Sequence, residues 1–91
     1  MQVKLYASLR QAAGIKMMEI DFQDGMTMNA LLEEVTKLYP VLIKFIWKEP
    51  GIISETAHVI VNGENIRHLS GLDTKLRIDD HVDIFPPLVG G

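Results

Sequence analysis

The sequence has 91 residues, which suits a single domain with one hydrophobic core. Hydrophobic residues account for 47% and charged residues for 23% of the chain, a globular composition that excludes a disordered protein. A net charge of −3 provides no basic surface for nucleic acid, and the absence of cysteine excludes disulfides, thiol nucleophiles and cysteine-ligated zinc.

The first part of the chain predicts two strands joined by a wide loop. Residues 3–8 alternate apolar and polar side chains with the period of a half-buried strand, and residues 18–23 repeat that pattern. Between them, Ser8 is expected to cap a short helical turn over residues 9–13, which Gly14 ends.

The next segment predicts the main helix. Asp24 and Gly25 turn the chain, and Thr27 is placed to cap a helix with its side-chain oxygen. The apolar residues then recur with helical spacing on one stripe, which consists of Met28, Leu31, Leu32, Val35, Leu38 and Tyr39. Pro40 is expected to end the helix, because a proline pushes the residue before it out of the α region.

Residues 41–56 contain more apolar side chains than one small helix can bury. A second short helix is expected at their start and a turn at residues 50–51, with core packing favoured over a partner-binding surface.

The apolar run over residues 41–47 contains Lys44 and is too short to cross a bilayer. Because residues 1–5 also lack the features of a signal peptide, we expect a cytoplasmic protein with no membrane partner.

The last part of the chain predicts two strands and a short third one between them. A β-branched run over residues 57–61 leads into Asn62 and Gly63, a strong signal for a two-residue hairpin turn. Residues 64–67 predict the short strand, and residues 81–85 predict the last one. The order β-β-α-β-β is typical of an α+β fold with one sheet covered by one main helix.

No group of side chains in the sequence suggests a catalytic or metal site. His58, His68 and His81 are isolated, with no second ligand three or four residues away. Neither a glycine-rich phosphate loop nor a serine nucleophile motif is present. We therefore expect a chain that is not an enzyme and that binds no metal or cofactor itself.

The C-terminal residues are the most informative part of the sequence. A folded domain is expected over residues 1–85, followed by a flexible tail over residues 86–91 that reads Pro-Pro-Leu-Val-Gly-Gly. The prolines favour an extended backbone, and the terminal glycines carry no side chain, so the tail could enter a narrow channel in a partner. A frayed end without function is the alternative, but Gly-Gly after a stiff Pro-Pro pair argues against it.

Together these features resemble the ubiquitin-like sulfur-carrier superfamily of MoaD and ThiS type. The resemblance extends over the whole chain and includes residues 3–10, 13–14, 31–34 and 61–64. Residues 79–87 resemble the acidic turn and last strand of the family, and their Phe-Pro-Pro ending resembles the small subunit of molybdopterin synthase. The resemblance implies a ubiquitin-like β-grasp, an α+β fold in which a mixed sheet packs on one main helix.

The resemblance also implies that the chain acts through its terminal carboxylate. An adenylyltransferase similar to ubiquitin-activating enzymes would use ATP and magnesium to adenylate Gly91, and a donor protein would supply sulfur to form a thiocarboxylate. The sulfur would then pass to an acceptor enzyme such as the large subunit of molybdopterin synthase. The residues implied are Gly90 and Gly91 for the chemistry, and Pro86, Pro87, Leu88 and Val89 for insertion into a partner.

Docking is expected to use the outward face of the sheet beside the tail. Phe85 and Tyr6 alternate out of the core, and Ile60 joins them if Val59 and Val61 point inward. An exposed aromatic side chain beside a reactive tail is typical of an interface anchor, although single exposed hydrophobic residues are common on any surface.

The pathway stays open at this point. Residues 65–74 form a longer segment than in the shortest small subunits, and they resemble members that serve as archaeal modifiers or as carriers for cysteine synthesis. A modifier would join Gly91 to lysines of other proteins through isopeptide bonds, whereas a carrier would deliver sulfur, for example to molybdopterin or to tRNA. The Phe-Pro-Pro and Gly-Gly pattern favours the carrier.

Overall fold

The computed structural model describes residues 1–86 and shows a five-stranded mixed sheet packed on one main helix. The strands are β1 (Gln2–Leu5), β2 (Met17–Glu19), β3 (Trp47–Glu49), β4 (Ile52–Ile53), β5 (His58–Val61), β6 (Glu64–Asn65) and β7 (Val82–Phe85). The sheet order is β2-β1-β7-β5-β6, and β3 and β4 form a separate hairpin. This arrangement confirms the predicted α+β class and the β-grasp fold.

Three α-helices and three short 3-10 helices connect the strands in the described residues. The α-helices are α1 (Ser8–Ala13), α2 (Met28–Leu38) and α3 (Ile43–Ile46), and the 3-10 helices cover Pro40–Leu42, Ile66–His68 and Gly71–Asp73. None of the helices in residues 1–86 is both long enough and apolar enough to cross a membrane.

The central strands β1 and β7 run parallel, and this pairing positions the end of the domain. Leu5 pairs with Ile84, so the residues that follow each of them, Tyr6 and Phe85, lie side by side at the same end of these two strands. On the other side of β7, the antiparallel strand β5 places His58 beside Phe85. The last strand therefore lies in the middle of the sheet, and its carboxyl end emerges between two neighbours.

The core lies between the inner face of the sheet and α2. Along α2, Met28, Leu31, Leu32 and Val35 are fully buried. They pack in one cluster with the inward residues of the central strands, which are Val3, Leu5, Val59, Val61, Val82 and Ile84. Since burial of one such side chain contributes about 1.5–3 kcal/mol, this stripe is the main reason the helix covers the sheet.

Local signals in the sequence produce several of these elements as predicted. The Thr27 hydroxyl accepts a hydrogen bond from the Ala30 N–H at 3.2 Å and caps α2, which ends just before Pro40. Asn62 and Gly63 have φ values of 50° and 84°, as a two-residue hairpin turn requires. The Asn62 amide also donates to Asp80 and accepts from the His81 N–H, which fastens this turn to the start of the last strand.

Two predictions about helix residues are wrong. Ser8 does not cap α1 but is its first residue, because the chain reverses one position earlier at Ala7, which has a φ of 52° and makes no side-chain cap. Leu38 was expected on the buried stripe but is 52% exposed, and the Thr36 side chain is buried instead. The Thr36 hydroxyl remains satisfied there because it donates to the Leu32 carbonyl at 3.0 Å.

Residues 41–56 divide between core and surface. Leu42 and Ile46 are fully buried, as core packing predicts, whereas Val41, Ile43 and Ile52 remain about half exposed. The predicted short helix is present as α3, and the turn at residues 50–51 joins β3 to β4, a hairpin that the sequence pattern did not predict.

Candidate functional site

The outward face of the sheet brings together the side chains expected to dock a partner. The rings of Tyr6 and Phe85 stack with their centroids 4.1 Å apart and their planes at 12°. Both residues are half-buried, so part of each ring is exposed to solvent and part is covered by the other ring. The stack lies where β7 ends, directly before the C-terminal residues.

Asp83 ties the Tyr6 side chain to the last strand. The Tyr6 hydroxyl donates a hydrogen bond to Asp83 Oδ1 at 3.0 Å. This bond to a carboxylate raises the pKa of Tyr6 above its ordinary value, and burial and the charge of Asp83 act in the same direction, while Arg10 opposes them. The phenol therefore stays protonated at neutral pH and holds the ring in place.

The Arg10 guanidinium also lies over the Tyr6 ring. Its guanidinium carbon lies 5.7 Å from the ring centroid, within the range of a cation–π contact. The Arg10 Nε group also donates to the Leu5 carbonyl at 3.2 Å, which is possible because α1 begins immediately after the chain reversal at Ala7. Tyr6 thus contacts both the Phe85 ring and the Arg10 guanidinium near the end of the last strand.

Ile60 lies on the same face, as expected, but not in the stack. Its pairing partner across the strands is Asp83, whereas Phe85 pairs with His58. Ile60 is half-buried, while Val59 and Val61 point into the core. The aromatic pair therefore lies at the carboxyl end of β7, and Ile60 lies further along the neighbouring strand β5. Asp83 lies next to Ile60 and contacts the aromatic pair through the Tyr6 hydroxyl.

Pro86 differs from the expectation for the tail. It was expected to belong to the segment that inserts into a partner, but it is a buried residue in the folded chain. The other residues expected in the tail, namely Pro87, Leu88, Val89, Gly90 and Gly91, lie outside the described residues.

Sequence reasoning missed Asp83 and Arg10 as parts of this site. Asp83 could have been found, because it alternates with Phe85 onto the outward face of the last strand. Arg10 could not, because its position depends on the backbone conformation at Ala7. The structure groups no three His, Cys, Asp or Glu side chains in residues 1–86 so that they could hold a metal ion.

The mixed five-stranded sheet packed on one main helix defines the chain as a ubiquitin-like β-grasp protein. Within that class, the chain belongs to the ThiS family, whose model matches residues 3–91.

Three similar proteins show the range of the class. A candidate sulfur carrier protein from Archaeoglobus fulgidus is 33% identical over 90 residues, which cover 99% of this chain and 97% of the relative. The solution structure of small archaeal modifier protein 1 from Methanosarcina acetivorans has a TM-score of 0.84 and 35% identity, covering 99% of this chain and 94% of the other. The structure of a candidate molybdopterin converting factor, subunit 1, from Pyrococcus furiosus has a TM-score of 0.77 and 29% identity, covering 96% and 95%.

Proposed function

We propose that the chain is a sulfur carrier that acts through the carboxylate of Gly91. A carboxylate oxygen attacks the α-phosphorus of ATP in an activating enzyme, and pyrophosphate leaves, so that the terminus becomes an acyl adenylate. Sulfur at the sulfide level, supplied by a donor protein, then attacks the carbonyl carbon, and AMP leaves with the electron pair of the broken carbon–oxygen bond. The product is a thiocarboxylate on Gly91.

The stack of Tyr6 on Phe85 is the observation that supports this proposal most. It presents a fixed aromatic surface at the point where the last strand ends, and the sequence continues from there to Gly-Gly. A partner that binds this surface would hold the terminal carboxylate close to its own active site, and orientation of this kind can lower a reaction barrier substantially. The face formed by Tyr6, Ile60 and Phe85 is therefore the proposed docking face.

The proposed role of the chain is that of a subunit supplying the reacting atom rather than of a catalyst. ATP and magnesium belong to the activating enzyme, an adenylyltransferase similar to ubiquitin-activating enzymes, and this chain binds no cofactor of its own. The proposed acceptor is the large subunit of molybdopterin synthase in the cytoplasm. The Phe-Pro-Pro and Gly-Gly ending and the likeness to the Pyrococcus furiosus protein support that acceptor.

A second candidate function is conjugation to other proteins. The likeness to the small archaeal modifier protein from Methanosarcina acetivorans favours it. In that case an amine of a target lysine, rather than sulfur, would displace AMP from the activated Gly91. Sulfur delivery to another pathway, such as tRNA thiolation or cysteine synthesis, would use the same terminus and the same activating step.

The mass of the protein isolated from its own cells distinguishes these functions. A carrier is expected to show a species in which one sulfur replaces one oxygen at Gly91, and alkylation of the thiocarboxylate should label that species alone. After tryptic digestion, a modifier is expected to appear as branched peptides in which residues 78–91, the segment after Arg77, are joined through Gly91 to lysines of many proteins. Abundant conjugates without any thiocarboxylate would overturn the carrier and support the modifier.

A further inference from the structure

An open groove lies between α2 and the β3–β4 hairpin. It has a volume of about 590 Å³, and its lining residues are Glu33, Thr36, Lys37, Ile43, Trp47, Lys48, Glu49, Pro50 and Gly51. Since α2 packs on the inner face of the sheet, the groove lies on the helix side of the sheet, whereas the docking face is the outward face of the sheet.

One aliphatic side chain of the groove lining, Ile43, is 48% exposed. Val41, two residues before it, is 43% exposed, and Ile52, which follows the lining residue Gly51, is 48% exposed. A group of exposed aliphatic side chains of this kind marks an interaction surface more often than scattered single residues do.

The Trp47 ring in this groove is held in a fixed position. Its Nε1 group donates a hydrogen bond to the Thr36 hydroxyl at 3.2 Å, and that hydroxyl in turn donates to the Leu32 carbonyl at 3.0 Å. The indole is therefore anchored to α2 by its polar atom. A surface fixed in this way loses little conformational entropy when another protein covers it.

The charges on the groove are balanced and arranged as opposites on each wall. Glu33 and Lys37 lie one turn apart on α2, and Lys48 and Glu49 are neighbours on β3. Within residues 1–86, none of the four forms a salt bridge. A strongly acidic or basic partner would place a like charge beside one side chain on each wall. A partner surface that carries both charges in the same arrangement could form an ion pair with each of the four side chains.

We propose that two copies of this chain associate through the groove about a two-fold axis. The α2 wall of one copy would face the hairpin wall of the other, which places each glutamate opposite a lysine, and the symmetry repeats every pair. The groove residues Ile43 and Trp47 would be buried in the centre. The dimer leaves both docking faces exposed on its outer sides and does not depend on the proposed function.

The oligomeric state of the full chain tests this proposal directly. In sedimentation experiments from about 1 μM to about 1 mM, the average mass should rise from that of one chain to that of two as mass action requires. The emission of Trp47, the single tryptophan of the chain, should shift over the same range of concentration because the indole becomes covered. A single monomeric species at every concentration would overturn the proposal.

A matched pair of substitutions locates the interface. Ile43→Asp should raise the dissociation constant of the dimer at least about tenfold, because it places a charge in the apolar centre. Ile78→Asp changes an isoleucine that is 71% exposed and lies outside the groove, so it should leave the dissociation constant unchanged. Thermal unfolding of both variants checks that they fold. An equal effect of the two, or no effect of Ile43→Asp, would place any dimer contact elsewhere and contradict the proposal.

A charge exchange tests whether the occupant is a second copy. One variant carries Lys37→Glu and Lys48→Glu, and the other carries Glu33→Lys and Glu49→Lys. Each variant alone should dimerise at least about tenfold more weakly than the original chain, because like charges meet across the axis. An equimolar mixture should form heterodimers with the affinity restored. A mixture that associates no better than its components would contradict the pairing of α2 with the hairpin of another copy.

Discussion

Tyr6 and Phe85 stack face to face although 78 residues lie between them in the sequence, and their ring centroids are 4.1 Å apart. The contact follows from the parallel pairing of β1 with β7, which brings the carboxyl ends of both strands side by side. A hydrogen bond from the Tyr6 hydroxyl to Asp83 then prevents the ring from turning away. The position of the Tyr6 ring on the outward face is thus fixed by two residues of β7, Phe85 and Asp83.

Replacing Tyr6 with phenylalanine should lower the free energy of unfolding by about 0.5–1.5 kcal/mol. The substitution removes the hydrogen bond to Asp83 but keeps a ring that can stack on Phe85. Urea unfolding at neutral pH measures the difference. Asp83→Asn, which keeps an acceptor for the hydroxyl, should cost less than Tyr6→Phe, and a larger loss in Asp83→Asn would show that the bond is not the stabilising contact.

The contribution of the Tyr6 hydroxyl should also disappear in alkaline solution. Its pKa is raised in the folded state by the hydrogen bond to Asp83, so the stabilisation is fully present below the ordinary tyrosine pKa of about 10. It is lost as the pH rises through the higher pKa of the folded state. The difference in unfolding free energy between the original chain and Tyr6→Phe should therefore shrink above about pH 10. A difference that stays constant into this range would contradict the assigned cause.

The sequence predicts the elements whose signals are local. Thr27 and Pro40 mark the ends of α2, and Asn62 with Gly63 marks a turn, because each acts on the backbone beside it. The contact between Tyr6 and Asp83 could not be predicted with the same rules, since it depends on which strands become neighbours in the sheet. The outward positions of Tyr6 and Phe85 were predicted from alternation alone, but their stacking was not.

The β3–β4 hairpin and the start of α1 show a different limit of sequence reasoning. The hairpin strands are only three and two residues long, too short for alternation to be recognised. At the start of α1, the sequence offers Ser8 as a good capping residue, but the reversal occurs at Ala7. Tertiary packing decides that position, because Leu9 must reach the core from the first turn of the helix.

Ala7→Gly should stabilise the protein, by up to about 1 kcal/mol. Ala7 has a φ of 52° and a ψ of −126°, a region that glycine adopts readily and alanine does not. Relief of that strain should exceed the added flexibility of the unfolded chain. Ala13→Gly, within the same helix, is the matched control and should destabilise by about 0.5–1 kcal/mol. Thermal unfolding compares them, and destabilisation by both would mean that Ala7 carries no strain.

Phe85→Asp should weaken binding to the activating enzyme by at least about 2 kcal/mol, or roughly thirtyfold in the dissociation constant. The ring is half-buried on Tyr6, so some stability should also be lost, but the core residues of β7 remain unchanged. Leu69→Asp is a suitable control, because Leu69 is 45% exposed and belongs to none of the strands that form the sheet. Calorimetric titration measures both variants. Equal affinities for the two would remove Phe85 from the proposed interface.

Removal of Gly90 and Gly91 should abolish adenylation while leaving the free energy of unfolding unchanged. Every buried residue of the described core precedes them, so the fold does not depend on their presence. The proposed activating step, in contrast, needs the carboxylate at the end of two residues without side chains, and the truncated chain would instead end in Leu88 and Val89, whose side chains a narrow channel would not admit. Exchange of radioactive pyrophosphate into ATP by the activating enzyme measures the step directly.

A chain with one alanine added after Gly91 serves as the second variant, since it keeps both glycines and displaces only the carboxylate. Loss of exchange in both variants, with unfolding curves that superimpose on that of the original chain, is the expected result. Exchange that persists in the truncated chain would show that activation does not occur at Gly91, and with it the proposed carrier function would fail.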